Sequence, residues 1–271
     1  MQILFIAEIL QFLPREEKLM NSMKVSIITV CYNSAATIEG TIQSVLGQSY
    51  PDIDYIIIDG ESTDDTLKII GKYKQDISTI LSEKDKGMYD AINKGIRLCT
   101  GDIIAILNAD DFYIDDQVIA EVVAKMQEEK ADSLYSDLYY VAAEDTTKVI
   151  RNWVSGKYSR KKFLYGWMPP HPTFFVKRTA YEKYGNFNLS LKSAADYELM
   201  LRLLFKNKLS TCYISRPLVR MRVGGMSNSS LKNRMKANKE DRKAWMMNGL
   251  TPKSYTLLFK PLRKIIQYVK K

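Results

Sequence analysis

Between residues 25 and 107 the chain carries four short, almost continuous apolar runs, at 25–30, 55–58, 77–81 and 103–107, each rich in Ile or Val. A strand that must be buried on both faces is written this way, without the polar alternation of a half-exposed one. Between and after the runs, apolar residues recur at helical spacing: Ile38, Ile42, Val45 and Leu46, then Leu67, Ile69, Ile70 and Tyr73, and later Val118, Val122 and Met126. Strands alternating with helical segments predict an α/β fold whose mixed, mainly parallel sheet is covered by helices on its faces. A further strand is expected at 133–135. The segment Ser62-Thr63-Asp64-Asp65, with a hydroxyl three residues before a carboxylate, has the pattern of a capping box opening a helix.

Beyond about residue 150 the periodicity loosens. Trp153, Tyr158, Phe163, Tyr165 and Trp167 lead into Met168-Pro169-Pro170-His171-Pro172, where three prolines preclude regular structure. Short strands are expected at 173–176 and 212–214, a helix over 195–206, and an extended stretch at 218–223 before Gly224-Gly225. Leu257, Leu258, Leu262, Ile265, Ile266 and Val269 alternate with lysines and arginines over 254–271, the pattern of a basic interfacial helix at the end of a helical extension spanning 229–271. Residues 1–22 read as an extension ahead of the first strand, or as an amphipathic helix.

Composition narrows the function classes. Residues 1–150 hold 13 Lys/Arg against 26 Asp/Glu, while 151–271 hold 27 against 5, so the net charge of +9 conceals an acidic half and a strongly basic one. That basic half fits nucleic acid, an anionic membrane or phosphorylated substrates. Against nucleic acid stand the acidic first half and the lack of an RNA-recognition signature. Cys31, Cys99 and Cys212 are widely spaced and odd in number, which suggests neither a disulfide framework nor a thiolate zinc site and points to a reducing cytoplasm. With His171 as the only histidine, a two-histidine metal site is excluded. No apolar run is long enough to span a bilayer, and no signal-peptide pattern opens the chain.

In open α/β sheets ligands sit beyond the carboxyl ends of the strands, and those positions are polar here. Thr29, Tyr32 and Asn33 close the first strand, Asp59 the second, Glu83, Asp85 and Lys86 the third, and Asn108, Asp110 and Asp111 the fourth. Turn and cap chemistry alone would place Asp, Asn and Ser there. It does not require adjacent carboxylates between Leu107 and Phe112, a repulsion that a cation relieves. If the strand runs on to Asp110, its period of two puts Asn108 and Asp110 on one face and Asp111 on the other, which makes Asp110 the metal ligand. The first loop, Cys31-Tyr32-Asn33-Ser34, lacks GxGxxG, so a dinucleotide-type Rossmann site is disfavoured.

Four blocks in order, Val25-Ser26-Ile27-Ile28-Thr29-Val30-Cys31-Tyr32-Asn33, Ile58-Asp59-Gly60-Glu61-Ser62-Thr63-Asp64-Asp65-Thr66, Lys86-Gly87-Met88-Tyr89-Asp90-Ala91-Ile92-Asn93-Lys94-Gly95 and Asn108-Ala109-Asp110-Asp111, resemble family 2 glycosyltransferases. The resemblance implies a GT-A domain over 23–228, with a donor half at 23–138 and an acceptor half at 139–228, and inverting transfer from a nucleotide-diphosphate sugar. It implies that Thr29, Tyr32 and Asn33 border the donor nucleotide, that Asp59 hydrogen-bonds its base, and that Lys86 lies beside it. Asn108 and Asp110 would occupy the outer positions of the Asp-x-Asp element, with Asn where the family has Asp, and Mn²⁺ or Mg²⁺ would be the cofactor. Asp196, in Ser193-Ala194-Ala195-Asp196-Tyr197-Glu198, matches the family's base; without the resemblance it reads as a helix-start carboxylate.

His171 is either an acceptor-side element or a loop residue. Arg220 and Arg222, before Gly224-Gly225, belong either to a mobile cationic flap or to an ordinary basic strand and turn. The expected function is transfer of a hexose or N-acetylhexosamine from a UDP-sugar to a growing, lipid-linked cell-surface glycan. The expected enzyme is cytoplasmic, rests on the inner membrane face, and binds no nucleic acid. A nucleic-acid or anionic-surface binding module and a sugar-nucleotide-synthesising enzyme of similar fold are the alternatives. The latter lacks a glycine-rich, lysine-containing phosphate loop near the first strand.

Overall fold

The computed structural model describes residues 22–224, 231–257, 259, 260 and 263, the side chains of 231–237 aside. The expected extension over 1–22, apart from Ser22, and most of the helix expected over 254–271 lie outside the described residues, as does Gly225 with the five residues that follow it.

The first half is built as its apolar runs predict. Strands β1 (Val25–Cys31), β2 (Ile53–Asp59), β3 (Thr79–Ser82) and β4 (Ile103–Ile106) alternate with helices α1 (Ile38–Leu46), α2 (Thr66–Gly71) and α3 (Met88–Leu98). β1 pairs in parallel with both β2 and β4, and β2 with β3, in unbroken register from Val25 opposite Ile53 to Cys31 opposite Asp59. The chain therefore leaves β1 toward one neighbour and later adds another on its opposite side. The crevice at the carboxyl end of β1 is the switch point of the sheet.

The rest of the chain extends the sheet with mixed sense. After β5 (Asp111–Tyr113) and α4 (Val118–Glu128) come β6 (Ser133–Val141), β7 (Val149–Trp153), β8 (Phe175–Lys177), α5 (Arg178–Tyr184), α6 (Ala195–Met200), β9 (Thr211–Arg222) and α7 (Leu231–Met247). The strand order is β3-β2-β1-β4-β8-β6-β9-β5, with β7 added on β6. β8 runs antiparallel to both β4 and β6, which joins the parallel half to the second; β6 and β9 are parallel, and β5 returns antiparallel to β9. The expected division at 138/139 falls inside β6.

Strand alternation divides the core between two faces. Ile28 and Val30 face a cluster with α3, Phe163, Trp167, Tyr197 and Trp245. Val25, Ile27 and Cys31 face the other, beneath α1 and α4. α3 lies against the sheet at backbone range, because a Cβ on Gly95 would meet Ile28 Cγ2 at 2.5 Å. α3 is not among the expected helices, although Tyr89, Ile92 and Ile96 recur at helical spacing on its buried face beside Asn93, Lys94 and Gly95. Nor is β7 among the expected strands; its V-I-R-N-W sequence forms an edge strand with Val149 and Ile150 exposed. The helix expected over 195–206 is present, but from Leu201 to Lys206 it widens into a π-type turn closed by the Asn207 N–H on the Arg202 carbonyl at 3.0 Å.

Candidate active site

At the carboxyl ends of β1 and β2, short polar side chains tie two loops together. Asn33, at φ +49°, accepts the Thr63 N–H through Oδ1 at 2.8 Å, and its own N–H donates to Ser62 Oγ at 2.8 Å. The Ser34 N–H donates to Thr66 Oγ1 at 2.7 Å and the Ala35 N–H to Asp64 Oδ2 at 3.1 Å. The Ser62–Asp65 segment is thus a clamp on the first loop. The capping box expected there does not form, because Ser62 Oγ donates to Asp59 Oδ1 and α2 starts without a side-chain cap.

Two expected nucleotide contacts face elsewhere. Thr29 is fully buried on the α1/α4 side of the sheet, where Tyr55 Oη donates to its Oγ1 at 3.1 Å, because period two places it with Val25 and Ile27. Asp59 is also fully buried, and its oxygens accept from the Ser62 N–H at 3.0 Å, Ser82 Oγ at 2.6 Å and Cys31 Sγ at 3.5 Å. Burial pushes the Asp59 carboxyl up, but the donors on Ser62 and Ser82 outweigh it and hold it below the usual carboxylate range. Asp59 therefore braces the loop in this structure and does not reach into the crevice. The rim is formed instead by Tyr32, 62% exposed, by Gly60, and by Asp85 and exposed Lys86. The Lys86 N–H donates to Asp90 Oδ2 at 3.0 Å, and Gly87, at φ +115°, turns the chain into α3.

The Asn108–Asp111 element departs from the strand geometry expected of it. β4 ends at Ile106, and the Asp111 N–H closes a turn on the Asn108 carbonyl at 3.0 Å. That turn brings the side chains of Asn108 and Asp111 together, Nδ2 donating to Oδ2 at 3.3 Å, with Asn108 and Asp110 half-buried and Asp111 fully buried. Asn108 Oδ1 and Asp111 Oδ1 are buried with no hydrogen-bond partner. Burial, and then the neighbouring Asp110 charge, push the Asp111 carboxyl well above its usual range; burial also raises Asp110, against the pull of its own backbone and Arg222. A cation meets these demands at once. Among the described residues no cluster of three His, Cys, Asp or Glu side chains forms, but Mg²⁺ or Mn²⁺ needs only one or two carboxylates when substrate phosphates complete its shell. The oxygen donors Asp110, Asp111 and Asn108 fit such an ion. The period-two expectation had set Asp111 aside.

Arg222 and Arg220 lie within β9, which pairs with both β5 and β6, so they belong to an ordered strand and not to a flap. Arg222 Nη1 donates to the Asp110 carbonyl at 2.6 Å with its guanidinium 4.9 Å from the Phe112 ring centroid, and Arg220 Nη1 donates to the Thr146 carbonyl at 2.9 Å. Arg222 thereby adds positive charge beside the acidic turn.

The third corner is centred on half-buried Asp196, in the first turn of α6. Its Oδ1 accepts the Tyr197 N–H at 2.7 Å and the Tyr89 hydroxyl at 3.4 Å. Tyr89 opens α3 three residues after Lys86, so one helix start links the donor rim to Asp196. Tyr89 stacks on Phe187 at 5.5 Å, His171 meets the other ring edge-on at 5.5 Å, and Asn93 grips the Phe187 backbone at both N–H and C=O. Burial lowers the His171 pKa while the Asp196 charge opposes it, which places the imidazole in this corner. Tyr89, Asn93 and Phe187 were missed as site residues; Tyr89 and Asn93 stand in the Lys86–Gly95 block but carry no chemistry that singles them out. Glu198 points away, as expected, into a buried ion pair with Arg202 at 3.0 Å.

The family model for glycosyl transferase family 2 matches residues 26–185, more than half of the chain. A PGL/p-HBAD biosynthesis glycosyltransferase of Mycobacterium bovis is 28% identical over 209 residues, covering 75% of this chain and 79% of that protein. Among solved structures, S. aureus TarS in complex with UDP-GlcNAc superposes with a TM-score of 0.65 at 18% identity, over 83% of this chain and 65% of that one. A Pyrobaculum calidifontis mannosyltransferase in complex with GDP-Man and Mn²⁺ gives a TM-score of 0.60 at 18% identity over 98% of this chain and 75% of that one. The expected GT-A-type α/β architecture is therefore the observed one, and the chain belongs to glycosyl transferase family 2 and is a glycosyltransferase.

Proposed function

We propose that the enzyme transfers a hexose or N-acetylhexosamine, with inversion, from a UDP-sugar to a growing, lipid-linked cell-surface glycan on the cytoplasmic side of a membrane, using Mn²⁺ or Mg²⁺. The observation that carries this reading is the link at the start of α3: exposed Lys86 on the donor rim and Tyr89, bonded to Asp196, are three residues apart where Gly87 turns the chain into the helix. In this reading the sugar is seated beside Lys86 and the Asn108–Asp111 turn, and Asp196 serves the face of its anomeric carbon opposite the diphosphate. Asp196 then takes the proton of the acceptor hydroxyl as that oxygen attacks, while the bond to the diphosphate breaks. Tyr89 holds the carboxylate in place. Asn108, Asp110 and Asp111 would hold the divalent ion, whose charge stabilises the departing diphosphate when bound. Arg222 adds a fixed positive charge beside the same turn.

A nucleotide-sugar donor is supported by the complexes of TarS with UDP-GlcNAc and of the mannosyltransferase with GDP-Man and Mn²⁺, and glycan synthesis by the biosynthetic naming of the mycobacterial relative. A membrane-facing acceptor is supported by an aromatic cluster of Tyr165, Tyr255 and Phe259, with Tyr165 and Phe259 exposed, and by the basic sequence that follows Phe259. No helix among the described residues is long and apolar enough to cross a membrane. The test is a screen of UDP-sugars and GDP-mannose for nucleotide release with and without Mn²⁺, with a lipid-diphosphate sugar in anionic vesicles as acceptor. Release of UDP that requires the ion and rises with the vesicles is expected. Failure of every nucleotide to bind would sink the reading.

A further inference from the structure

We infer that Glu240, on the C-terminal helix α7, is a positioning residue for the turn that carries Asp196, so that α7 is a working part of the transfer site. The inference rests on Asp196 as the base of the proposed reaction. Glu240 lies far beyond residue 185, where the family match ends. Its carboxylate nevertheless gathers the turn that precedes Asp196. Oε2 accepts the N–H groups of Lys192 at 3.1 Å, Ser193 at 2.7 Å and Ala194 at 3.1 Å, together with Ser193 Oγ at 2.9 Å. Oε1 takes a second bond from the Lys192 N–H at 3.1 Å. Three successive amides converging on one anion form a concave nest, and bonds to a carboxylate are about twice as strong as neutral ones.

The same helix also fixes the residues that follow Asp196. Trp245 Nε1 donates to Tyr197 Oη at 2.9 Å, and Asn248, just past α7, donates from Nδ2 to Glu198 Oε1 at 3.0 Å. The chain is therefore held on both sides of Asp196 from α7 and the residue that follows it, by backbone amides before it and by the Tyr197 and Glu198 side chains after it, while the Asp196 carboxylate is bonded by Tyr89 and by its own turn. Glu240 acts through the backbone and does not touch the reacting atoms. Its charge is also felt at Tyr89, which places it close to the corner it supports.

The test compares Glu240→Ala, Glu240→Gln and Asp196→Asn in the full chain, with UDP and GDP binding by calorimetry, nucleotide release from the donor identified by the screen, and amide hydrogen exchange at 192–194. A displacement of the base by about 1 Å costs on the order of 100-fold. Glu240→Ala is accordingly expected to lower kcat by about 10- to 100-fold per nucleotide-binding molecule, with donor KM and nucleotide affinity unchanged. It should also lose protection at the three amides. Glu240→Gln, which keeps an oxygen acceptor at the same reach, should recover part of kcat. A role confined to stability would lower the yield of nucleotide-binding enzyme and leave turnover per binding molecule untouched, and that result overturns the inference. Wild-type turnover in Glu240→Ala beside an inactive Asp196→Asn overturns it alone; wild-type turnover in Asp196→Asn removes the base assignment beneath it.

Discussion

Around Asn33 and Asp59 the chain builds a corner from loops that follow adjacent parallel strands, and the clamps there join segments within about thirty residues of each other, with longer bonds only at the neighbouring Asn108–Asp111 turn, where Thr41 holds the Asp111 carbonyl and Arg222 the Asp110 carbonyl. Around Asp196 it works differently. Tyr89 is 107 residues from Asp196 in sequence, Phe187 is 94 from Asn93, and the amides before Asp196 are held from 46 to 48 residues downstream. The first corner inherits its geometry from the register of β1, β2 and β4. The second exists only once the whole fold has closed. Damage to either should leave the other intact.

The largest effect expected from breaking that independence is at Asp196. Replacing it by Asn preserves shape and removes the proposed base, so kcat should fall by about 10²- to 10⁴-fold, the usual worth of a positioned general base. Nucleotide affinity should stay at the wild-type value, measured by calorimetry on the same preparation. A parallel loss of affinity would show that the two corners are one cooperative unit.

The contrast also explains what the sequence made legible. Continuous apolar runs identified β1, β2 and β4 because buried parallel strands have no other way to be written, and the polar residues beyond them followed from the topology. Asp196 is proposed through its resemblance to a family position, since a carboxylate in the first turn of a helix is common for electrostatic reasons alone. α3 went unexpected although Tyr89, Ile92 and Ile96 recur there at helical spacing; what spacing could not show is how its buried Asn93 and Lys94 are satisfied, by the Phe187 backbone and the Lys84 carbonyl. Strand alternation was extended one turn too far at Asn108–Asp111, where the chain closes a tight turn after Ile106 and brings Asp111 beside Asn108. Glu240 gave no signal at all. Its neighbours are charged and its function is to bond a backbone elsewhere.

A smaller effect, confined to the first corner, is expected at Asp111. Its buried, unpartnered oxygen and that of Asn108 are the features that fit a cation. With UDP present and Mn²⁺ at about a hundred times its dissociation constant, the wild-type protein should gain about 2.7 kcal/mol of stability from the ion, by mass action. Asp111→Asn should show no such gain in thermal unfolding. Because the substitution removes one of two adjacent negative charges, the variant should be no less stable than wild type without the ion. An undiminished Mn²⁺ response would return the ligand role to Asp110 alone.

The smallest effect is expected at Thr29, which separates a contact with the nucleotide from a contact with the core. Thr29→Val keeps the shape of the side chain but leaves the Tyr55 hydroxyl, buried at 3.1 Å from it, without an acceptor. Such an orphan costs about 1 to 2 kcal/mol of folding stability. Removing the hydroxyl as well, in Thr29→Val with Tyr55→Phe, takes away both partners, and most of the loss should return, because a missing pair costs far less than half of one. Nucleotide affinity should be unchanged in both variants, since neither hydroxyl faces the crevice. If Thr29 did border the base, the double variant would regain its stability and still bind the nucleotide more weakly, so unfolding and calorimetry on these two proteins distinguish a strand that presents Thr29 to the donor from one that turns it into the core.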